Sequence, residues 1–190
     1  MKKTLYLMRH GQTLFNVRKK IQGSCDSPLT REGIRQAKIA KEYFEKNGIT
    51  FDHAYSSTQE RASDTLELIT QMPYTRLKGL KEWDFGLFEG ESEDLNPPIH
   101  PVRKSYGDFF VQYHGESDFD VQDRVNKTLT EVMDKEDHQN VLAVSHGGVC
   151  FMFARGWTDK ELGKFSNCCI LKFEYEDGKF EFIEIINHQF

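Results

Sequence analysis

The stretch Leu5-Tyr6-Leu7-Met8-Arg9-His10-Gly11-Gln12-Thr13 decides how this chain is read. A short apolar run stops abruptly at an arginine, a histidine and a glycine. Its length, and the glycine that punctuates its end, mark a buried strand. Open α/β sheets bind ligands just beyond the carboxyl ends of their strands, which is where Arg9 and His10 fall. Arginine offers a planar fork of donors that fits phosphate or carboxylate. Histidine offers a nitrogen that can be neutral and nucleophilic near pH 7. Gly11 lets backbone N–H groups approach an anion closely. Alone, the three residues describe equally well a strand end with a satisfied histidine, so the rest of the chain has to decide.

The length of 190 residues predicts a single domain, 1–190, with a large core. The net charge of −5 leaves no basic footprint, which argues against a nucleic-acid partner. An anionic substrate must therefore be held by a local cluster of positive groups, not by the overall field. The four cysteines, Cys25, Cys150, Cys168 and Cys169, form no CxxC pair. Reduced thiols are expected rather than a zinc site or a disulfide framework. No window approaches the length of a membrane span, and the first apolar run is too short for a signal peptide. The expected setting is the cytoplasm, with no membrane partner.

Outward from the opening motif, Gln12 to Pro28 is a polar, basic loop carrying Asn16, Arg18, Lys19, Lys20, Gln22 and Gly23. It follows His10 directly, so its polar groups can reach a substrate. Asn16 leads, because an amide donates to a phosphate oxygen without adding charge. Thr30 then caps a helix with Ile34, Ala37, Ala40 and Phe44 as its buried stripe, closed by Asn47-Gly48. Phe51 to Tyr55 reads as a second strand, and Ser56-Ser57-Thr58 as the N-cap cluster of a helix reaching Thr70. Arg61 lies in its first turn, where free N–H groups and the helix dipole favour an anion. A surface arginine would look the same in local sequence.

Tyr74 to Leu80 predicts a further short strand. Lys81 to Gly90 mixes carboxylates with Trp83, Phe85 and Phe88. A carboxyl held against aromatic walls stays protonated more easily and can act as a general acid; an exposed acidic loop is the alternative. Glu91 to Gly115, with Pro97, Pro98 and Pro101, predicts an irregular loop with one short helix around Tyr106 to Tyr113. Ser117 caps a helix to Lys135, with Asp120 at its third position. Asn140 to Ser145 is the clearest buried strand. It ends in His146-Gly147-Gly148 and leads into an apolar helix from Val149 to Arg155, repeating the opening pattern of strand, histidine and glycine. Cys169 to Tyr175 and Lys179 to Ile186 form a hairpin around Asp177-Gly178.

If the three strand ends adjoin, Arg9, His10, Arg61 and His146 converge. Such a cluster repels itself unless an anion fills it, and phosphate suits two arginines and helix N-termini. Metal ligation by His10 and His146 is disfavoured beside two arginines.

With these residues in place, the sequence resembles the histidine phosphatase superfamily, which includes the cofactor-dependent phosphoglycerate mutases. The resemblance runs through Leu7 to Thr13 with Asn16, Gln22-Gly23, Asp26 to Thr30, Gly33 and Gln36-Ala37. It continues at Ser56-Ser57, Arg61-Ala62, Thr65, Leu80, Glu82, Phe85-Gly86 and Glu89-Gly90. Gly115-Glu116-Ser117, Arg124 and Ser145 to Gly148 complete it. The chain departs at His114, where the family commonly has glycine, and at Leu66, where alanine is usual.

The resemblance implies an α/β protein with a three-layer α/β/α sandwich and a mostly parallel mixed sheet, as in phosphoglycerate mutase. It implies His10 as nucleophile through a phosphohistidine, and Glu82 as proton donor. Arg9, Arg61 and His146 would bind the phosphoryl oxygens. Asn16, Gln22, Gly23 and Gly147 would complete the substrate-binding set. No metal or cofactor is expected. The partners would be a small phosphorylated metabolite and, as product, inorganic phosphate. The mutases of the family carry a longer insert than the segment between Gly90 and Gly115, which favours a phosphatase. Mutase-type phosphoryl transfer and a non-catalytic phosphate-binding regulatory module are the alternatives. Substrate choice is expected to reside in Gln12 to Asp26, Trp83 to Phe88 and Glu91 to His114. Nothing in the sequence fixes the oligomeric state.

Overall fold

The computed structural model describes residues 1–190. The elements in chain order are β1 (Lys3–Arg9), α1 (Leu14–Val17), α2 (Arg31–Lys46), β2 (His53–Ser57), α3 (Glu60–Ile69), β3 (Thr75–Leu77), α4 (Asp118–Met133), β4 (Asn140–Ser145), α5 (Gly147–Trp157), β5 (Ile170–Glu176) and β6 (Lys179–Ile186). The sheet has the order β3-β2-β4-β1-β5-β6. Its first four strands are mutually parallel; β5 adds antiparallel to β1, and β6 antiparallel to β5.

Strand residues alternate between two cores, as the period of two requires. Leu5, Leu7, Val141 and Ala143 face α4 and α5, where Val121, Val125, Leu129 and Phe153 are buried. Tyr6, Met8, Leu142 and Val144 face α2 and α3, where Ala37, Phe44, Ala62 and Leu66 are buried. Both faces are thus covered, which is why β1 and β4 read as unbroken apolar runs. The result is the three-layer α/β arrangement.

Several local expectations shift. The inner stripe of α2 is Gly33, Gln36, Ala37, Ala40 and Phe44; Ile34 lies one residue, about 100°, off that line and is 36% exposed. Strand β2 starts later than read, at His53, because the Asp52 carboxylate turns outward to accept the N–H groups of Gln139 and Asn140. Ser56 and Ser57 belong to β2 and are fully buried, so α3 is preceded by Gln59, which makes no side-chain cap. The expected helix near Tyr106 is a single 3-10 turn, Val111–Tyr113. His114 follows at φ 66, the left-handed region that glycine enters most easily. This gives a physical reason for a glycine in related chains. Thr30 and Ser117 cap α2 and α4 as read, Ser117 forming a capping box with Asp120.

Candidate active site

Because β1, β2 and β4 are parallel and in register, with Arg9 beside Ser145, their carboxyl ends open on one side of the sheet. His10 leaves β1 there and its main chain is fixed from both sides. Its N–H donates to the Ser145 carbonyl at 3.0 Å. Its carbonyl accepts from Cys168 N and Asn167 Nδ2, both at 3.2 Å. His10 Nδ1 lies 2.7 Å from the Gly11 carbonyl. A carbonyl only accepts, so Nδ1 carries the proton and Nε2 keeps its lone pair.

Burial pushes His10 well below the usual histidine range, and the charges of Arg61 and Arg9 add to this, against the opposing Gly11 hydrogen bond. His146, fully buried at the start of α5, is also lowered well below that range, first by burial and then by Arg61 and His10. The two rings meet edge to face at 5.3 Å. Both are therefore neutral at pH 7, and His10 presents a neutral nitrogen nucleophile. The thiols do not compete: burial, then Glu89, pushes Cys25 up to about 12, and burial pushes Cys169 up to about 11.

Around this pair lie buried polar atoms without a partner: Arg9 Nε, Arg61 Nε and both ring nitrogens of His146. Leaving such groups unpaired costs about 1–3 kcal/mol each. An anion that accepts several hydrogen bonds at once relieves that cost, and this chemistry selects a phosphoryl group. The arginines are less free than two open forks. Arg61 is fully buried, and its terminal nitrogens hold the carbonyls of Gly23 (2.9 Å) and Cys25 (2.8 Å) and the Asp26 carboxylate (3.0 Å). Its remaining donor is Nε. Arg9 gives one terminal nitrogen to the Phe165 carbonyl at 2.6 Å. Arg61 thus positions the loop after His10 as well as facing the cluster, and it is not the surface arginine its local sequence allows.

Glu82 completes the group. Its main chain is held by Gln59 Oε1, which accepts its N–H, and by Arg124 Nη2, which donates to its carbonyl. Its carboxylate accepts from three backbone N–H groups: Trp83 and Val149 on Oε1, Gly148 on Oε2. The surroundings are therefore backbone donors at the start of α5, not the aromatic wall expected from Trp83. Oε2 takes one of these bonds and Oε1 two. A Cβ at position 148 would stand 2.6 Å from Glu82 Oε1, so the close approach depends on Gly148. The neighbouring acids are engaged elsewhere. Glu89 accepts from the N–H groups of Gly23, Ser24, Cys25 and Phe85, and Asp84 from Gly86.

A cavity of about 310 Å³ opens over His10. Of the residues expected to bind substrate, Arg9, Asn16, Gln22, Glu82 and Gly147 line it with His10. Asn16 Oδ1 is used by Thr13 N and Asn167 Nδ2, so its amide nitrogen is the group left to donate. Gln22 is largely tied to Thr13 and Ser27. Gly23 does not line the cavity: its N–H is bound to Glu89 and its carbonyl to Arg61 and Gln59. Arg61 and His146 are fully buried and do not line the cavity. Residues missed in sequence complete the wall, among them Glu93, Asn96, Lys104, Tyr106, Phe151 and Phe165. The first four fall within Glu91 to His114, where substrate choice is expected; the two phenylalanines carry no signal beyond being apolar.

Residues 5–188 match the family model of the histidine phosphatase superfamily (branch 1). A probable phosphoglycerate mutase of Proteus mirabilis is 33% identical over 187 residues, covering 92% of this chain and 86% of that protein. Among solved structures, the phosphoglycerate mutase of Bacillus anthracis str. Sterne superposes with a TM-score of 0.86 at 26% identity, over 96% of this chain and 92% of that one. A phosphoserine phosphatase of Entamoeba histolytica, in complex with 3-phosphoglyceric acid, gives 0.77 at 28% identity, over 98% of both chains.

Proposed function

The chain belongs to the histidine phosphatase superfamily, and from that premise we propose that it is a metal-independent phosphomonoesterase working through a phosphohistidine at His10. The observation that carries this reading is the neutral His10, with Nδ1 committed to Gly11 and Nε2 free, beside buried and unpartnered Arg9, Arg61 and His146 donors. His10 Nε2 attacks phosphorus in line, and the ester oxygen leaves with a proton from Glu82. Arg9, Arg61 and His146 hold the equatorial oxygens, where the transition state spreads its charge. Glu82, now a carboxylate, takes a proton from water as that water attacks the phosphohistidine. Inorganic phosphate departs and Glu82 is protonated again.

The relatives named mutases support a second reading, in which the phosphoryl group returns to a reoriented substrate. Hydrolysis is favoured by the short segment between Gly90 and Gly115. Its Glu93, Ile99 and Lys104 stand at the cavity rim and are solvent-exposed, so water reaches the site. The partner in this reading is a small phosphorylated metabolite, with 1–190 acting as one domain. No helix is long and apolar enough to cross a membrane, and all four thiols are free, which supports a cytoplasmic setting.

The test is phosphate release from 4-nitrophenyl phosphate and from 3-phosphoglycerate, with and without chelator. Release that resists chelator is expected. Conversion of 3-phosphoglycerate to its 2-isomer without net phosphate release would favour the mutase reading. No turnover of any ester would favour a non-catalytic binding module.

A further inference from the structure

The outer half of the cavity is not the uniformly positive surface that a purely anionic substrate would need. Glu93, on the short 3-10 turn Glu93–Leu95, lines it and forms no ion pair with any lysine or arginine. Burial pushes its carboxyl up while Arg9 and Lys19 pull it down, so Glu93 lies within the field of the arginine proposed to hold the phosphoryl group. The Tyr106 hydroxyl, raised first by burial and then by Glu93 and Glu82, lies in the field of both acids. Three residues along, Asn96 lines the same wall, and its Oδ1 is buried without a hydrogen-bond partner. Two acceptors therefore line this wall without a protein donor, the exposed Glu93 carboxylate and the buried Asn96 Oδ1. Lys104, whose side chain makes no ion pair or hydrogen bond, supplies positive charge at the rim. Lys20, also in the wall, is held by the Gly90 carbonyl at 3.0 Å.

A phosphomonoester whose remaining groups are only carboxylates or phosphates would meet Glu93 as a like charge. A neutral polyol would displace water from Glu93 without supplying a counter-charge. An ammonium placed a few bonds from the phosphate satisfies Glu93 and Asn96 Oδ1 together, and a carboxylate beside it meets Lys104. Resting on the phosphomonoesterase reading, we propose that the site selects small amino-bearing phosphomonoesters, with Glu93 and Asn96 receiving the ammonium and Lys104 an accompanying carboxylate. A site built to accept from a donor rejects analogues that lack the charge it needs: a bound hydroxyl analogue displaces water from the exposed Glu93 carboxylate without supplying a counter-charge, and pairs the buried Asn96 Oδ1 less strongly.

Matched substrates test this. We compare kcat/KM for 2-aminoethyl phosphate against 2-hydroxyethyl phosphate, and for racemic O-phosphoserine against racemic 3-phosphoglycerate. Within each pair an ammonium replaces a hydroxyl. The wild-type protein should prefer the amino member of both pairs by about 10–100-fold, the range of a hydrogen-bonded charge. Glu93→Gln should cut that ratio at least about tenfold, while Glu93→Asp keeps most of it. Lys104→Met should lower the rate on phosphoserine relative to 2-aminoethyl phosphate. Equal rates within each wild-type pair, or a ratio unchanged in Glu93→Gln, would overturn the assignment. 4-Nitrophenyl phosphate separates the two levels of the argument. Its turnover without an amino preference sinks only this inference, whereas no turnover of any ester sinks the phosphatase reading and this inference with it.

Discussion

The two ends of strands β2 and β4 carry similar side chains arranged to opposite effect. At their carboxyl ends, beyond β1 as well, His10 and His146 meet edge to face with Arg9, Arg61 and Glu82 around them. At their amino ends, His53 and His138 stack at 3.6 Å with an interplanar angle of 10°. There every ring nitrogen has a partner. His53 is bound to Asp52 at 2.8 Å and Asp137 at 3.2 Å; His138 to Asp137 at 2.7 Å and to the Tyr55 hydroxyl at 2.6 Å. Lys135 donates to that same hydroxyl at 3.1 Å. At the carboxyl ends, both nitrogens of His146 and the Nε of each arginine have none. Histidines and charges therefore do not mark a site by themselves; the distinction is the cluster of unpartnered nitrogens on Arg9, Arg61 and His146 around His10. His53, Asp137 and His138 also bring ligand atoms within 4.8 Å of one another. There His53 Nε2 and His138 Nδ1 both meet the Asp137 carboxylate.

The comparison breaks most simply at His10. His10→Ala should lower turnover of every ester by about 10³-fold or more, since it removes the nucleophile. The folded state should persist, because the His10 main chain keeps its bonds to Ser145 and Cys168. Steady-state rates and thermal unfolding of the same preparation check both halves.

Glu82→Gln comes next and depends on the leaving group. A proton matters for an alkoxide and hardly for nitrophenolate. Single-turnover phosphorylation by an alkyl phosphate should slow by about 10²–10⁴-fold, the usual worth of general acid catalysis, and by far less with 4-nitrophenyl phosphate. Equal slowing of both esters would remove Glu82 as the acid, and leaving-group dependence in Glu89→Gln or Asp84→Asn would move the role there.

Arg61→Lys should cost about 10²–10³-fold in kcat/KM, as for loss of a positioned donor. Lysine replaces a planar fork with a point charge, and here the fork also holds Gly23, Cys25 and Asp26. Inhibition by phosphate should weaken in parallel. Activity and phosphate affinity both near wild type would contradict the assignment.

The smaller effects are thermodynamic. His10 and His146 fold with values well below 6.5, so below pH 6.5 the unfolded chain binds protons that the folded one does not. Stability should therefore hold above pH 6.5 and fall below it, by about 1.4 kcal/mol per pH unit for each histidine that stays neutral. Urea unfolding between pH 7 and 5.5 measures the slope, and His146→Gln should reduce it by one proton. At the opposite end, His138→Ala should cost about 1–3 kcal/mol by removing the buried bond between the ring and the Tyr55 hydroxyl, which keeps only Lys135, with kcat/KM changed by less than about twofold. A large loss of activity there would erase the distinction between the two ends.

The two ends also differ in how far the sequence reveals them. Strand β4 is found to the residue, because Val141 to Val144 is unbroken and a glycine pair follows its histidine. His10 and Asn16 line the cavity as the strand end and the loop after it suggest, whereas Glu82 is set apart from Asp84 and Glu89 by the family resemblance and not by its local sequence. The start of α3 is not, since Ser56 and Ser57 look like caps but continue β2 into the core. Arg61's grip on the loop from Gln22 to Asp26, and the cradle of N–H groups around Glu82, join segments more than thirty residues apart. No local pattern encodes such contacts. Glu93 to Tyr106 has irregular backbone without periodicity, so its side chains could be assigned to the substrate region but not to positions within it. The His53–His138 stack was invisible for the same reason: its partners meet only when β2 and β4 pair.

The covalent role of His10 is tested most directly by trapping. Wild-type protein mixed with ³²P-labelled substrate, quenched in base within one turnover and digested, should yield one labelled peptide containing His10. Its label should survive alkali and be lost in acid, as expected of a phosphohistidine. His10→Ala should yield none, while His138→Ala, His53→Ala and the wild type label alike. Label on any other residue, or turnover without a labelled His10 under single-turnover conditions, would contradict the account.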